Sequence, residues 1–385
     1  MNMYNTTSTD LVCFSHLRWN FVYQRPQHLM TRFANKHRVF FIEEPVFGAE
    51  ADFLRVTTPV TNVTVITPHL HASESTGTGE SLQRDLISAY FVDNSIVNYF
   101  FWYYTPMSLA IGNSFNPKMI VYDCMDELSA FRFAPPVLRE RETQLFAKAD
   151  LVFTGGYSLY EAKKNRHPDV HAFPSSIDAA HFGAARTFQH DPEDQRLIPR
   201  LRIGFYGVID ERIDLELIEA VALRKPEWSF IFIGPVVKIS ENQLPRLANI
   251  HYLGMKRYEE LPQYVAGWDI AMMPFAHNES TRYISPTKTP EYLAAGKPVI
   301  STPINDVLRQ YGRTGLVHIA GTADEFIRVA MLLEKDSERD EWLEKVDDFL
   351  SQNSWDKTWQ KMSYHINRKL QEKESTKPEK EKIYV

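Results

Sequence analysis

Short apolar runs bounded by turn residues recur along the chain, separated by amphipathic stretches, and this alternation limits the fold more than any single motif does. "LVCFS" (11–15), "RVFFIE" (38–43), "VTVITP" (63–68), "VNYFFWYY" (97–104), "KMIVYD" (118–123) and "DLVFTG" (150–155) read as strands. Helical segments such as "QHLMTRFANK" and "PPVLRERETQLFAKA" lie between them. Strands that alternate with helices build a parallel sheet covered on both faces. The stretch "AARTFQHDPEDQRLIPR" (184–200) is polar and without apolar periodicity, as an interdomain linker is, and after it the pattern restarts. "LRIGFYG" (201–207), "WSFIFIG" (228–234), "IHYLG" (250–254), "DIAMMPF" (269–275), "PVIST" (298–302) and "GLVHIA" (315–320) read as a second set of strands. The fold class is α/β, with one unit over residues 1–190 and another over 200–353. Residues 354–385 add a helical stretch (354–371) and a charged, frayed end.

Length and composition narrow the functional classes. A chain of 385 residues with 44% hydrophobic and 24% charged residues can bury two sizeable cores. A net charge of −6 gives no global attraction for nucleic acid, so any basic function is local. Cys13 and Cys124 match no zinc or redox spacing and read as buried thiols in a reducing compartment. The start "MNMYNTTSTD" has no basic segment followed by an apolar core, and no apolar run reaches the ~18 residues of a membrane span. The reading is a cytoplasmic protein, with peripheral attachment to the inner face of the membrane left open.

In open parallel sheets ligands bind beyond the carboxyl ends of the strands, so the residues after each strand carry the chemistry. After the first strand, "SHLRWNFVYQRPQHL" gathers His16, Arg18, Trp19, Arg25 and His28, and Pro26 suits a first helical turn. This is an anion or sugar site, or else a loop in which Trp19 and Phe21 plug the surface and Arg25 pairs with a carboxylate. "VYDCMDEL" places Asp123 and Asp126 at a strand end, where either orients or deprotonates an acceptor hydroxyl, or caps the next helix. In "GFYGVIDERIDLELI", Gly207 admits a close backbone approach and Arg212 is placed to clamp phosphate oxygens, although turn glycines followed by a surface arginine are common.

The stretch "SPTKTPEYLAAGKPVIST" (285–302) carries more. Ser285 with Pro286, and Thr289 with Pro290, each read as a helix cap followed by proline at the first helical position. A helix beginning at Pro286 leaves backbone N–H groups facing the strand ends, and Lys288 adds charge beside them, so a phosphate has two independent reasons to settle there. Glu291, one turn in, is placed to accept hydrogen bonds from ribose hydroxyls; its alternative is compensation of the helix dipole.

At these residues the sequence resembles the GT-B glycosyltransferases of the retaining group 1 (family 4) type, in particular bacterial, teichuronic-acid-type transferases of cell-envelope polysaccharides. The block at 285–302 and "RWNFVYQRPQHLMTRFA…HRVFFIEEP" carry the likeness, with "ADLVFTGGYSLYEAKK…VHAFPSSIDAAHF" where such proteins cross to the second domain. The resemblance implies two Rossmann-like domains facing across a cleft, the first binding acceptor and the second binding donor, with the C-terminal helix returning to the first. It implies a nucleoside diphosphate sugar as donor. Glu291 would hold the ribose, Arg212 and Lys288 the diphosphate, and the backbone of Ser285, Pro286 and Thr287 the phosphate nearest the sugar. Gly207 and Gly234 would line the donor site, with Met255 and Tyr258 by the base. A carbohydrate or lipid-linked acceptor would sit near His16, Trp19, Arg25 and Asp126. Many such proteins have a Glu eight residues before the one matching Glu291; here that position is Tyr283, and Asn278 and Arg282 are the nearby candidates for holding the sugar. No Asp-x-Asp motif is present, so the expectation is a reaction without metal or other cofactor, the diphosphate being neutralised by Arg212, Lys288 and the helix end.

Other readings compete. A dinucleotide oxidoreductase needs Gly-x-Gly-x-x-Gly after a strand, and "GTGESL" (77–82) lacks the last glycine. A nucleotide-sugar epimerase would share the fold and act without acceptor. A non-catalytic sugar-nucleotide-binding partner of an envelope assembly complex would bind without turnover.

Overall fold

The computed structural model describes residues 9–71, 78–335 and 339–375; most of the charged C-terminal end falls outside them. Nine strands form the first sheet: β1 (Asp10–Ser15), β2 (Val39–Glu43), β3 (Val46–Phe47), β4 (Phe53–Val60), β5 (Val63–Leu70), β6 (Tyr99–Tyr103), β7 (Ile120–Cys124), β8 (Leu151–Thr154) and β9 (Val170–Ala172). Their order is β3-β5-β2-β1-β6-β7-β8-β9, with β4 paired to β5 as the antiparallel member. The second sheet is parallel in the order β12-β11-β10-β13-β14-β15, made of β10 (Arg202–Tyr206), β11 (Ser229–Ile233), β12 (Ile250–Tyr252), β13 (Ile270–Met273), β14 (Val299–Ser301) and β15 (His318–Ile319).

Strands buried on both faces read as continuous apolar runs, and this is why the run pattern located β1, β6, β10 and β11 to within a residue or two. It missed β4. That strand lies at the edge with nearly every residue exposed, so no burial pattern marks it, and only pairing with β5 defines it.

Both sheets reverse strand order at their first strand. β1 lies between β2 and β6, and β10 between β11 and β13. The crevice beyond the carboxyl end of each is therefore the place for a ligand. The crossing between units comes earlier than a boundary at 190: Ile177, Phe182 and Ala185 already belong to the second unit's core. Residues 184–200 are also not a loose linker, since the buried Gln195 accepts from the Trp268 indole at 3.0 Å and Asp191 pairs with Arg202 at 2.6 Å. The last helix, Trp355–Ser375, sets Trp355, Met362 and Ile366 into the core of the first unit. Cys13 and Cys124 are buried free thiols. Among the described residues no helix is long and apolar enough to cross a membrane.

A carboxylate of the second unit caps a helix of the first. Asp306, buried, accepts from the N–H groups of Tyr157 and Ser158 at 2.8 Å each, at the start of the helix Tyr157–Lys163. A side chain on Gly156 would overlap Asp306 Oδ2, so the glycine is what permits the approach. Replacing Asp306 removes the partners of two helix-end donors, and Asp306→Ala is expected to lower stability by about 1–3 kcal/mol. Urea unfolding with amide exchange at Tyr157 and Ser158 measures this; unchanged exchange there would show that the cap does not hold the units.

Candidate functional site

Two glycines at the carboxyl ends of β10 and β11 shape the floor of the cleft. Gly234, at φ +139°, lets the carbonyl of Gly207 approach where a Cβ would overlap it. Gly207, at φ +138°, does the same for Lys288, whose Cε occupies the space of the missing Cβ. The space of the missing Cβ is thus taken by Lys288, while Gly207 itself lines the large cavity.

The helix behind Lys288 also differs from expectation. It runs Lys288–Ala294, with Thr287 as its cap, so Pro286 precedes it and Pro290 is its third residue. Proline there breaks no intrahelical bond, because the first four N–H groups of a helix have no partner within it. The N–H groups of Thr289 and Glu291 turn back to the carbonyls of Pro286 and Thr287, at 3.3 and 3.4 Å.

Charges converge on this floor. Burial pushes Lys288 down to about 8, Arg212 adds to that, and Glu291, Asp210 and Asp126 oppose it. Glu291 is buried and accepts from the Tyr206 hydroxyl; burial pushes it up to about 7 against that hydrogen bond and the Lys288 charge. Arg212 is held by Asp210, with Nε at 2.9 and 3.0 Å from the carboxylate oxygens and Nη2 at 2.7 Å, and its guanidinium lies 5.3 Å from the Phe131 ring of the first unit. Asp126 follows β7 across the cleft. Burial raises it to about 6, against the pull of Arg212, Arg25, Lys238 and Lys288.

Two connected cavities result. One of about 110 Å³ is lined by Asp126, Arg212, Ser285, Pro286, Thr287 and Lys288. The other, about 720 Å³, is lined on the second-unit side by Gly207, Gly234, Met255, Tyr258 and Glu291, and on the first-unit side by residues 19–24. Thr287 and Lys288 line both, so the small cavity is the inner end of the large one. Tyr258 is stacked between Tyr23 and His181, at 4.4 and 4.2 Å between ring centres, and Met255 lies half exposed at the rim.

Of the acceptor candidates, Arg25 and Asp126 line the inner cavity together and Trp19 lines the large one, while His16 lines neither. Arg25 is buried and spent: Nε and Nη2 bind both oxygens of Asp123 at 2.9 and 2.8 Å, and Nη1 donates to the Phe173 carbonyl at 2.7 Å. Asp123 is therefore neither cap nor base. Trp19 is buried edge-on against Phe41 in the first core and shows the large cavity only part of its surface. His16 has a buried Nδ1 with no hydrogen-bond partner among the described residues, and burial with Lys238 nearby pushes it down to about 4. Asn278 Oδ1 accepts within its own turn from Ser280 Oγ at 2.7 Å and the Thr281 N–H at 3.1 Å, and Nδ2 donates to the Glu211 carbonyl at 3.3 Å. Arg282 lies 5.3 Å over the ring of Tyr283, which packs against the core of the first unit. Among the described residues no group of three or more His, Cys, Asp or Glu is arranged to hold a metal.

Sequence reasoning missed Asp210, Tyr206 and the 20–24 segment. The Asp-x-Arg spacing of Asp210 and Arg212 was a usable signal, whereas the Tyr206–Glu291 contact joins residues 85 apart and had none.

Two facing α/β units with a charged floor at the strand ends define a GT-B architecture. The chain superimposes on sucrose-phosphate synthase from Thermosynechococcus elongatus with a TM-score of 0.72 at 13% identity, over 94% of this chain and 98% of that one. It superimposes on Anabaena HepE, solved in complex with UDP, with a TM-score of 0.63 at 13% identity, over 94% of this chain and 100% of that one. These likenesses show the GT-B fold. Residues 200–336 match the family of group 1 glycosyl transferases, so the second unit is a group 1 glycosyltransferase domain. A curated relative, the putative teichuronic acid biosynthesis glycosyltransferase TuaH of Bacillus subtilis (strain 168), is 27% identical over 219 residues, 52% of this chain. That match spans 54% of the relative's length.

The raised Glu291 gives a pH prediction. A carboxyl whose folded value lies above its ordinary 4.5, at about 7, binds its proton more tightly in the folded state, so its contribution to stability is lost as pH rises between those values. Glu291→Gln should therefore gain stability relative to wild type across that window. Urea midpoints at pH values on either side test this; a difference that stays constant with pH would contradict the burial of the carboxyl.

Proposed function

We propose that the chain is a retaining glycosyltransferase that moves a sugar from a nucleoside diphosphate sugar to the hydroxyl of a carbohydrate or lipid-linked acceptor in polysaccharide or glycolipid synthesis. The observation that carries it is the inner cavity, where Lys288 and Arg212 meet the Ser285–Thr287 segment on one side and Asp126 on the other, and which opens into a cavity large enough for a nucleoside. Negative charge develops on the departing diphosphate as the bond between the anomeric carbon and its phosphate oxygen breaks. Lys288 and Arg212 are cations placed to receive that charge without solvent rearrangement. Asp210 keeps the guanidinium aimed, Glu291 accepts from the ribose hydroxyls, and Tyr258 with Met255 walls the base. Asp126, ionised above a pH of about 6, accepts the hydrogen bond of the attacking hydroxyl.

Retention of configuration rests on the likeness of residues 285–302 to the retaining type, and the sugar is held without a carboxylate at position 283. Uridine is the first base to test, since the related HepE fold was solved with UDP. The name of the Bacillus relative supports the envelope-polysaccharide setting, and a cytoplasmic or inner-membrane-face location is part of the same proposal.

Arg212→Ala and Lys288→Ala are each expected to lower kcat by about 10²–10³-fold, the size of effect found when one charge-stabilising donor is lost. Thermal shifts with UDP, GDP, ADP and CMP identify the base, and no shift with any of them would sink the assignment. Turnover is expected to survive EDTA, because the cations supply the charge. Collapse in EDTA with recovery in manganese would replace that account with a metal-assisted one.

A further inference from the structure

Tyr258 lines the large cavity, yet neither face of its ring is free. His181 covers one, with 4.2 Å between ring centres and 10° between planes, and Tyr23 covers the other at 4.4 Å and 26°. The two covers differ in how they are held. His181 lies in the helix Ala179–Gly183 beside Phe182 of the second core, and its Nε2 donates to the carbonyl of Tyr258 at 3.0 Å. It therefore moves with Tyr258. Tyr23 belongs to the first unit, outside any helix or strand, and of the two covers it alone lines the large cavity. The second unit contributes one other aromatic ring to that wall, Tyr206, which is buried with its hydroxyl given to Glu291. A nucleobase that is to stack on the second unit thus has one face to take, and Tyr23 is on it. Stacking of a base on an aromatic ring is at least as strong as the pairing of two aromatic side chains, so the exchange is within reach of an arriving nucleotide.

We infer that Tyr23 is a gate in the nucleotide site: it covers the face of Tyr258 on which the base of the donor stacks, and it leaves that face when the donor enters. The inference rests on the donor-site reading and adds to it how the base is recognised, by competition with a side chain of the opposite unit. Because Tyr23 is itself part of the first unit's side of the cleft, and is followed by Gln24, which lines both cavities, the exchange also reshapes the wall opposite the donor.

Calorimetric titration of the full chain with UDP, GDP and pyrophosphate tests this. Tyr23→Ala removes the competing ring and is expected to tighten whichever of UDP and GDP the wild type binds by roughly three- to tenfold, since the face is otherwise closed for as long as the two side chains stack. Tyr23→Phe keeps the ring and should bind as the wild type does. In a Tyr258→Leu background, Tyr23→Ala should bring no gain. Pyrophosphate has no base and should bind wild type and Tyr23→Ala equally; an equal tightening of pyrophosphate would mean that the whole cleft had opened, and would overturn the gate. Circular dichroism checks that each variant folds. Nucleotide binding that is unchanged or weaker in Tyr23→Ala overturns the gate and leaves the donor site standing, whereas no binding of either nucleotide to wild type or variant removes the donor-site reading and the gate with it.

Discussion

A lysine held in the floor of a cleft is unfavourable unless opposite charge surrounds it, and the second unit is organised around that requirement at Lys288. Gly207 gives up its side chain so that the lysine can cross the end of β10, and Gly234 gives up its own so that Gly207 can sit there. Glu291, Asp210 and Asp126 draw the lysine toward its charged form, while burial and Arg212 push the other way. The balance leaves Lys288 at about 8, with its ammonium largely present near neutrality and incompletely compensated. Such a site gains more from an arriving anion than a surface lysine would, because the charge there is weakly screened.

The same floor exists only because two sheets present their strand ends to each other. The residues that line the inner cavity come from the loops after β1, β7, β8, β10 and β13, from the crossover and from the segment leading into Lys288. Asp306 capping a helix of the other unit, Ser175 bonded to Ser285, and Tyr283 set against the first core fix how closely those loops meet. Tyr283 serves as apolar contact between the units, since it belongs to the second unit's chain and packs against the core of the first.

The strand pattern was legible because parallel strands buried on both faces must be apolar throughout, as "LVCFS" and "WSFIFI" are. The edge strand β4 was not, since its residues face water and its identity depends on β5. The 285–302 stretch announced a helix entrance with a cation and a carboxylate one turn apart, but the structure starts the helix at Lys288, makes Thr287 the cap in place of Ser285 or Thr289, and turns the Thr289 and Glu291 N–H groups back to carbonyls. Arg25 was a harder case: its sequence setting fits either an anion site or a buried pair, and Asp123, 98 residues away, decided for the pair.

By itself the sequence determined the two α/β units, their order, and the residue types after each strand, because those follow from local periodicity and turn chemistry. Only the tertiary structure decided which of those residues share a site. Gly207 makes room for Lys288, Asp210 orients Arg212, Tyr206 reaches Glu291, and Arg25 is withdrawn into the core. Each of these depends on where side chains meet in space, and apart from the Asp210–Arg212 pair the partners lie far apart along the chain, where no local pattern in the sequence connects them.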